Sequence, residues 1–177
     1  MARRVALFRG INVGKANRIA MAELKAIFEA LGFDDVRTLL NSGNVVYAAG
    51  RAAAARDAER IGAAVAERTG ITTRVLVLEA ATLDAVAAAN PYANDADDPS
   101  RLLVGFLLGD DRSPFEALRR AHPDERFAVG EHACYLWCPD GILDSRIGDA
   151  LSGTKFRDRV TARNWATVLK LQALLAS

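Results

Sequence analysis

The sequence has little of what most catalytic and metal sites are built from, because its 177 residues include only two cysteines and two histidines. Cys134 and Cys138 are four residues apart in one apolar run. In a strand they would lie about 13 Å apart, too far for a disulfide. Neither His122 nor His132 has a zinc-like spacing to these cysteines. We therefore expect two buried free thiols, no metal and no resident cofactor.

The chain also lacks an excess of either charge and any long apolar run. Lys and Arg total 23 against 22 for Asp and Glu, a formal net charge of +1. This balance excludes a histone-like excess of positive charge, although it is compatible with a local basic patch. No apolar run approaches the roughly 20 residues of a membrane helix. The apolar stretch within residues 1–8 is shorter than the one that a signal peptide needs. We expect a cytoplasmic protein that does not enter the membrane.

The first half of the chain shows strand and helix signals in the order β-α-β-β-α-β. Hydrophobic spacing and composition predict strands over 3–8, 36–41, 44–48 and 72–78, and helices over 21–31 and 52–68. This order is that of a ferredoxin-like sandwich, in which two helices cover one face of a four-stranded antiparallel sheet.

A short helix over 82–89 and a polar, proline-bounded linker follow the first half. After the linker, the same order of strands and helices is predicted again in part. Strands are predicted over 102–108, 127–129 and 133–138, and helices over 114–120, 142–151 and 162–175. The last helix occupies the place of a fourth strand, so the second copy is expected to be incomplete. The sequence thus predicts an α+β protein with a ferredoxin-like half over 1–90, a linker over 91–100, and a second half with a C-terminal helix over 101–177.

The first candidate binding segment joins the first strand to the first helix and contains Arg9, Gly10, Asn12, Gly14 and Lys15. Its glycines allow the backbone to approach a ligand closely, and its N–H groups and cations would favour an anion. Three residues between the glycines are too few for a P-loop, and the dinucleotide pattern GxGxxG is absent. The segment is interpreted either as a glycine turn with solvated cations or as an anion-contacting loop.

The second candidate is the turn of the predicted hairpin, which contains Asn41, Ser42 and Asn44 around a glycine. Asparagine and glycine tolerate positive φ, which explains them as structural turn residues. Their amides and hydroxyl could also hydrogen-bond a base or a sugar without adding charge. Both interpretations stay open.

The third candidate is the basic segment before the last helix, which contains Lys155, Arg163, Asn164 and Trp165. Thr161 is expected to cap that helix, which would place Arg163, Asn164 and Trp165 in its first turn. Because a cation is unfavourable at a helix N-terminus, Arg163 there suggests either a ligand or a salt bridge. Trp165 would pack in the core or stack on a base.

Recognisable catalytic motifs are missing from the sequence. It contains neither GxSxG nor HExxH, and no nucleophile can be paired with a histidine from spacing alone. Acid–base chemistry would therefore depend on carboxylates, and none of them stands out. Catalytic residues are left unassigned.

Four blocks of the sequence resemble a family of bacterial proteins known as domain of unknown function 1697. They are residues 8–14, 21–24 with 31–33, 41–46, and 161–165 with 168–169. The resemblance spans essentially the whole chain and implies an α/β fold of two ferredoxin-like halves with no established activity. Lys15 and Ala16 depart from the family pattern, which commonly has a further glycine and a lysine there.

These observations favour a binding protein whose polar loops meet in a cleft between the two halves. We expect an anionic ligand, either a nucleotide or a single-stranded nucleic acid, with the cations on phosphate. The residues expected to hydrogen-bond the polar edges of the ligand are Asn12, Asn41, Asn44 and Asn164. The residues expected to stack on its bases are Tyr47, Tyr135 and Trp137. The alternatives are an enzyme acting on a phosphorylated small molecule, and a structural or interaction protein that forms a homodimer through a sheet face.

Overall fold

The structure, a computed structural model, describes all residues from 1 to 177 and contains eight strands and six α-helices. In chain order they are β1 (Ala2–Arg9), α1 (Met21–Ala30), β2 (Asp34–Leu39), β3 (Asn44–Ala49), α2 (Ala54–Thr69), β4 (Arg74–Glu79), α3 (Ala80–Ala88), β5 (Leu102–Leu107), α4 (Ser113–Ala121), β6 (Arg126–Val129), β7 (Ala133–Trp137), α5 (Arg146–Ser152), β8 (Val160–Asn164) and α6 (Trp165–Ala176). None of these helices combines the length and the apolar character needed to cross a membrane.

The first four strands form an antiparallel sheet in the order β2-β3-β1-β4. Successive side chains of a strand point to opposite faces, and Ala6 and Phe8 of β1 face the helices. There they pack with Leu24 and Phe28 of α1 and with Ile61 of α2 in one buried core. The predicted βαββαβ sandwich is confirmed for this part of the chain.

The other four strands repeat the same antiparallel arrangement in the order β6-β7-β5-β8. Phe115 of α4 and Ile147 of α5 pack on Phe127 and Leu136 of the sheet, which forms a second buried core. The second copy is therefore complete.

The strand β8 is the element that the sequence analysis misses. A helix is predicted from residue 162, but the structure has a five-residue strand up to Asn164 and begins α6 at Trp165. Thr161 is not the helix cap, because it is buried in β8 opposite Phe106. Asn164 caps α6 instead, since its Oδ1 accepts hydrogen bonds from the Thr167 N–H (2.9 Å) and hydroxyl (3.0 Å).

Contacts within the chain divide it into two units. Unit 1 comprises Met1–Leu83 with Leu171–Ser177, and unit 2 comprises Asp84–Lys170. Within unit 1, the guanidinium of Arg37 on β2 donates to the Leu174 carbonyl at 2.8 Å and to the Ser177 hydroxyl at 2.6 Å, which ties down the end of the chain. The predicted boundaries of the two halves and the linker, at 1–90, 91–100 and 101–177, stay a prediction.

The two cysteines are free and buried, as the sequence analysis predicts. Burial raises the pKa of Cys134 to about 12 and also raises the pKa of Cys138. Both thiols are therefore protonated at neutral pH and pack as small apolar groups.

A buried charge network joins the first sheet to α2. The Arg4 guanidinium contacts the Asp57 carboxylate at 2.7 Å, the Glu79 carboxylate at 2.8 Å and the Ala52 carbonyl at 2.6 Å. The Tyr47 hydroxyl donates to the same Asp57 carboxylate at 3.0 Å. Asp57 lies in the first turn of α2 and is 1% exposed, so this carboxylate fixes the start of the helix against β1 and β3.

We expect Asp57→Ala to destabilise the protein by about 3–5 kcal/mol, because it leaves the Arg4 charge and the Tyr47 hydroxyl buried without this partner. The matched control is Glu29→Ala, which removes an exposed i,i+4 pair with Lys25 and should cost less than about 1 kcal/mol. Urea unfolding followed by circular dichroism measures both free energies. Equal losses in the two variants would contradict the role given to Asp57.

Candidate functional site

The segment between β1 and α1 is a small, projecting hairpin that we call the basic loop (residues 9–18). Val13 pairs with Ala16 in an isolated antiparallel bridge, and Gly14 between them has a φ of 62°. This positive φ at the first of two turn positions is typical of the tight II′ turn and favours glycine. Residues 13–18 are all exposed, so the loop presents its tip to solvent.

The carboxamide of Asn12 holds the basic loop in shape. Its Nδ2 donates to the Ile19 carbonyl at 2.9 Å and to the Asn41 carbonyl at 2.8 Å, and its Oδ1 accepts from the Ile19 N–H at 2.8 Å. Asn17 and Arg18 add hydrogen bonds from their side chains to carbonyls of the loop. The predicted contact residue Asn12 is thus committed to positioning the loop.

The turn between β2 and β3 lies against the basic loop at the same end of the sheet. Gly43 has a φ of 87°, and a Cβ there would lie 2.5 Å from Cδ1 of Ile11, so only glycine fits. The turn interpretation holds for Gly43, which has a positive φ, but the second positive φ falls on Leu40 and not on Asn41 or Asn44.

The polar side chains of this turn have different environments. Asn44 is fully buried, and its Nδ2 donates to the Leu39 carbonyl at 2.7 Å and to the Ser42 hydroxyl at 3.0 Å. Asn41 is exposed, and its backbone carbonyl rather than its side chain receives the Asn12 amide. Asn41 therefore keeps its carboxamide at the surface beside the basic loop.

Positive charge is concentrated at this end of the first sheet. Arg9 of β1 and Arg74 of β4 are direct cross-strand partners, so their side chains share a face with Cβ atoms about 5 Å apart. The preceding pair, Phe8 and Val75, packs in the core of α1 and α2, so the arginines lie on the opposite face. Like charges directly opposite each other disfavour the sheet, and both arginines make further interactions within the protein.

The first 22 residues carry five basic side chains and no acidic one, although Arg3 and Arg4 among them pair with carboxylates of later segments. This absence of acids is a signal that the sequence analysis overlooks. Arg74 is also missed, because only the pairing of β1 with β4 brings it beside Arg9. We call Arg9, Lys15, Arg18, Asn41 and Arg74 the loop surface; all of it belongs to unit 1.

The predicted site residues of unit 2 are placed on or near β8. Lys155 is exposed, with its Nζ 5.8 Å from the centroid of the Phe156 ring. Arg163 faces the same side of its sheet as Val104, and burial lowers its pKa to about 10, which still leaves it charged at neutral pH. Trp165 is 8% exposed and packs as a core residue.

The aromatic residues that the sequence analysis offers as stacking surfaces are buried. Tyr47, Tyr135 and Trp137 have 0%, 2% and 5% of their surface exposed. The Tyr135 hydroxyl donates to the Val86 carbonyl at 2.7 Å, and Tyr47 belongs to the network with Asp57. The expectation of exposed aromatics on the strands is therefore wrong.

Of the twelve predicted site residues, the structure places eight in unit 1 and four in unit 2. The eight gather around the basic loop and the turn before β3, and they are Arg9, Gly10, Asn12, Gly14, Lys15, Asn41, Ser42 and Asn44. The four in unit 2 are Lys155, Arg163, Asn164 and Trp165.

Unit 2 also contains a cavity of about 300 Å³, which is lined by the candidate stacking residue Trp137 but by none of the twelve predicted site residues. The Glu125 carboxylate at its edge accepts from the backbone N–H groups of Arg146 (2.9 Å) and Ile147 (3.3 Å) and from the Ser145 hydroxyl. This carboxylate therefore caps α5. The Cys138 thiol in the lining is kept protonated by burial, so it is not an activated nucleophile.

We expect Asn12→Gly to loosen the basic loop, because glycine keeps the positive φ of 54° but loses three hydrogen bonds. Hydrogen exchange of the Ile19 amide should accelerate about 30-fold, which corresponds to roughly 2 kcal/mol of local stability. Asn94→Gly, at an exposed turn position in unit 2, is the control. An unchanged Ile19 exchange rate would contradict the positioning role of Asn12.

Comparison with known proteins supports the fold and gives the family. The structure of the conserved bacterial protein SP0830 from Streptococcus pneumoniae is similar over 98% of both chains, with a TM-score of 0.80 and 24% sequence identity. No curated protein sequence matches the chain. The model of the family described as "Protein of unknown function (DUF1697)" matches residues 1–135. The chain therefore belongs to the DUF1697 family, as its sequence blocks indicate.

Proposed function

We propose that this protein binds a phosphate-bearing anion at the loop surface. The observation that carries the proposal is the exposed, hydrogen-bonded basic loop with Lys15 and Arg18, which lies next to the cross-strand pair of Arg9 and Arg74. Nucleotides and single-stranded nucleic acids are the two ligand types whose phosphates such a group of cations would hold.

The charge of the loop surface supports an external anion. A surface that serves only solubility carries both signs of charge, whereas residues 9–18 contain three basic side chains and no acidic one. A bound phosphate would supply the negative charge that this segment lacks.

The rigidity of the loop supports binding as well. Asn12, Asn17 and Arg18 together make six side-chain hydrogen bonds that fix the loop, although its residues 13–18 are exposed. A loop that is already ordered loses little conformational entropy when a ligand binds. This is the preorganisation expected of a recognition element.

The test is isothermal titration of the full chain with inorganic tripolyphosphate, which carries phosphate charge without a base or a sugar. We expect binding at roughly 50 mM salt that weakens clearly at roughly 200 mM, because the contacts are ionic. Lys15→Ala should weaken binding about fivefold, since it removes one exposed cation from the loop surface.

Lys170→Ala is the matched control, because it removes the same charge from an exposed position on α6 in unit 2. It should leave the affinity unchanged. Binding that is indifferent to salt, or that Lys15→Ala and Lys170→Ala weaken equally, would contradict the proposal.

A further inference from the structure

We infer that the physiological ligand of the loop surface is a single-stranded nucleic acid rather than a free nucleotide. This inference rests on the proposed function and specifies its ligand class. It combines the projecting shape of the basic loop with the exposed carboxamide of Asn41 beside it.

The shape of the basic loop favours an extended ligand. A free nucleotide is held tightly when a concave pocket encloses most of its surface. The basic loop is instead a projecting hairpin whose residues 13–18 are exposed, and Val13 at its tip keeps 71% of its surface accessible. An extended strand gains affinity on such a surface because several phosphates make contact simultaneously.

The spread of the cations leads to the same conclusion. Arg9 and Arg74 lie at the ends of two paired strands, Lys15 is in the two-residue turn of the hairpin, and Arg18 lies at its base. Arg18 also donates to the carbonyls of Asn12 and Gly14 at 3.3 and 3.2 Å, which fixes its position. The positive charge therefore follows the hairpin, as a charged path along a sugar–phosphate backbone does.

Asn41 offers a hydrogen-bonding contact to a base, which a ligand made only of phosphate would not use. Its carboxamide offers one acceptor and two donor hydrogens, which matches the edge of an unpaired base. The main chain at Asn41 is held by the Asn12 amide at 2.8 Å, so the side chain starts from a fixed point next to the cations. In a duplex the Watson–Crick edges are occupied by the opposite strand, and this contact therefore favours a single strand.

Val13 completes the surface with an apolar group. Val13 has 71% of its surface exposed. In the sequence it lies between Asn12, which fixes the backbone of the loop, and Gly14 of the turn. An exposed β-branched side chain on a rigid turn can pack against a sugar or the face of a base, which an inorganic anion cannot offer. Charge, amide and apolar contact are thus adjacent on one loop and one turn.

The experiment measures fluorescence anisotropy of a labelled, mixed-sequence single-stranded oligonucleotide of about 12 nucleotides with the full chain. Competitors are an inorganic polyphosphate of about the same charge, a duplex of the same sequence and a nucleoside triphosphate. We expect the single strand to bind at least about tenfold more tightly than each competitor. If three phosphates are contacted, its affinity should fall about 20-fold between roughly 50 and 200 mM salt.

Asn41→Ala separates base contact from phosphate contact. It should weaken the oligonucleotide about fivefold and leave the salt dependence and the polyphosphate affinity unchanged. Lys15→Ala should instead weaken both ligands. Asn94→Ala, an exposed asparagine of unit 2, is the control for the amide substitution, and circular dichroism verifies that each variant is folded.

Each outcome decides between the two proposals. Polyphosphate or triphosphate that binds as tightly as the oligonucleotide, or an Asn41→Ala variant without effect, would overturn the single-stranded ligand and leave anion binding intact. Equal affinity for the duplex would also overturn it. Absence of binding to every one of these anions at low salt would overturn the proposed function itself.

Discussion

The Asn12 carboxamide ties three stretches of chain together at one end of the first sheet. It reaches the backbone of Ile19 on the far side of the basic loop and the carbonyl of Asn41 in the turn before β3. These bonds satisfy backbone groups that would otherwise need water, so the loop can project from the sheet without unfolding. The Asn12 side chain thus links the loop that carries Lys15 to the turn that carries Asn41, while Asn17 and Arg18 add hydrogen bonds within the loop.

The strand β1 uses its arginines in two opposite ways. Arg4 points into the α1–α2 side and is compensated by Asp57 and Glu79, so its charge contributes to the fold. Arg9, at the end of the strand, points to the other face and lies opposite Arg74. The alternation of a β-strand therefore places Arg4 and Arg9 on opposite faces of the same sheet.

The sequence allows much of the fold to be predicted because its first half has clear periodicity and helix stops. Gly70 ends α2 in the left-handed conformation, as expected of a C-terminal glycine. The strand β8 could not be found in this way, because it has only five residues and runs directly into α6. Such a short edge strand is defined by its hydrogen bonds to β5, whose partners are more than 50 residues away in sequence.

The candidate site also has features that follow from local sequence and features that depend on tertiary contacts. Sequence alone determined which loops carry glycine, asparagine and cations, because those residue types mark turns and charge wherever they occur. Tertiary structure decided what each side chain does: Asn12 and Asn44 are committed to backbone carbonyls, Asn41 stays exposed, and Arg74 joins Arg9. The physical reason is that hydrogen-bond partners and cross-strand neighbours are set by contacts between distant segments, which local composition does not encode.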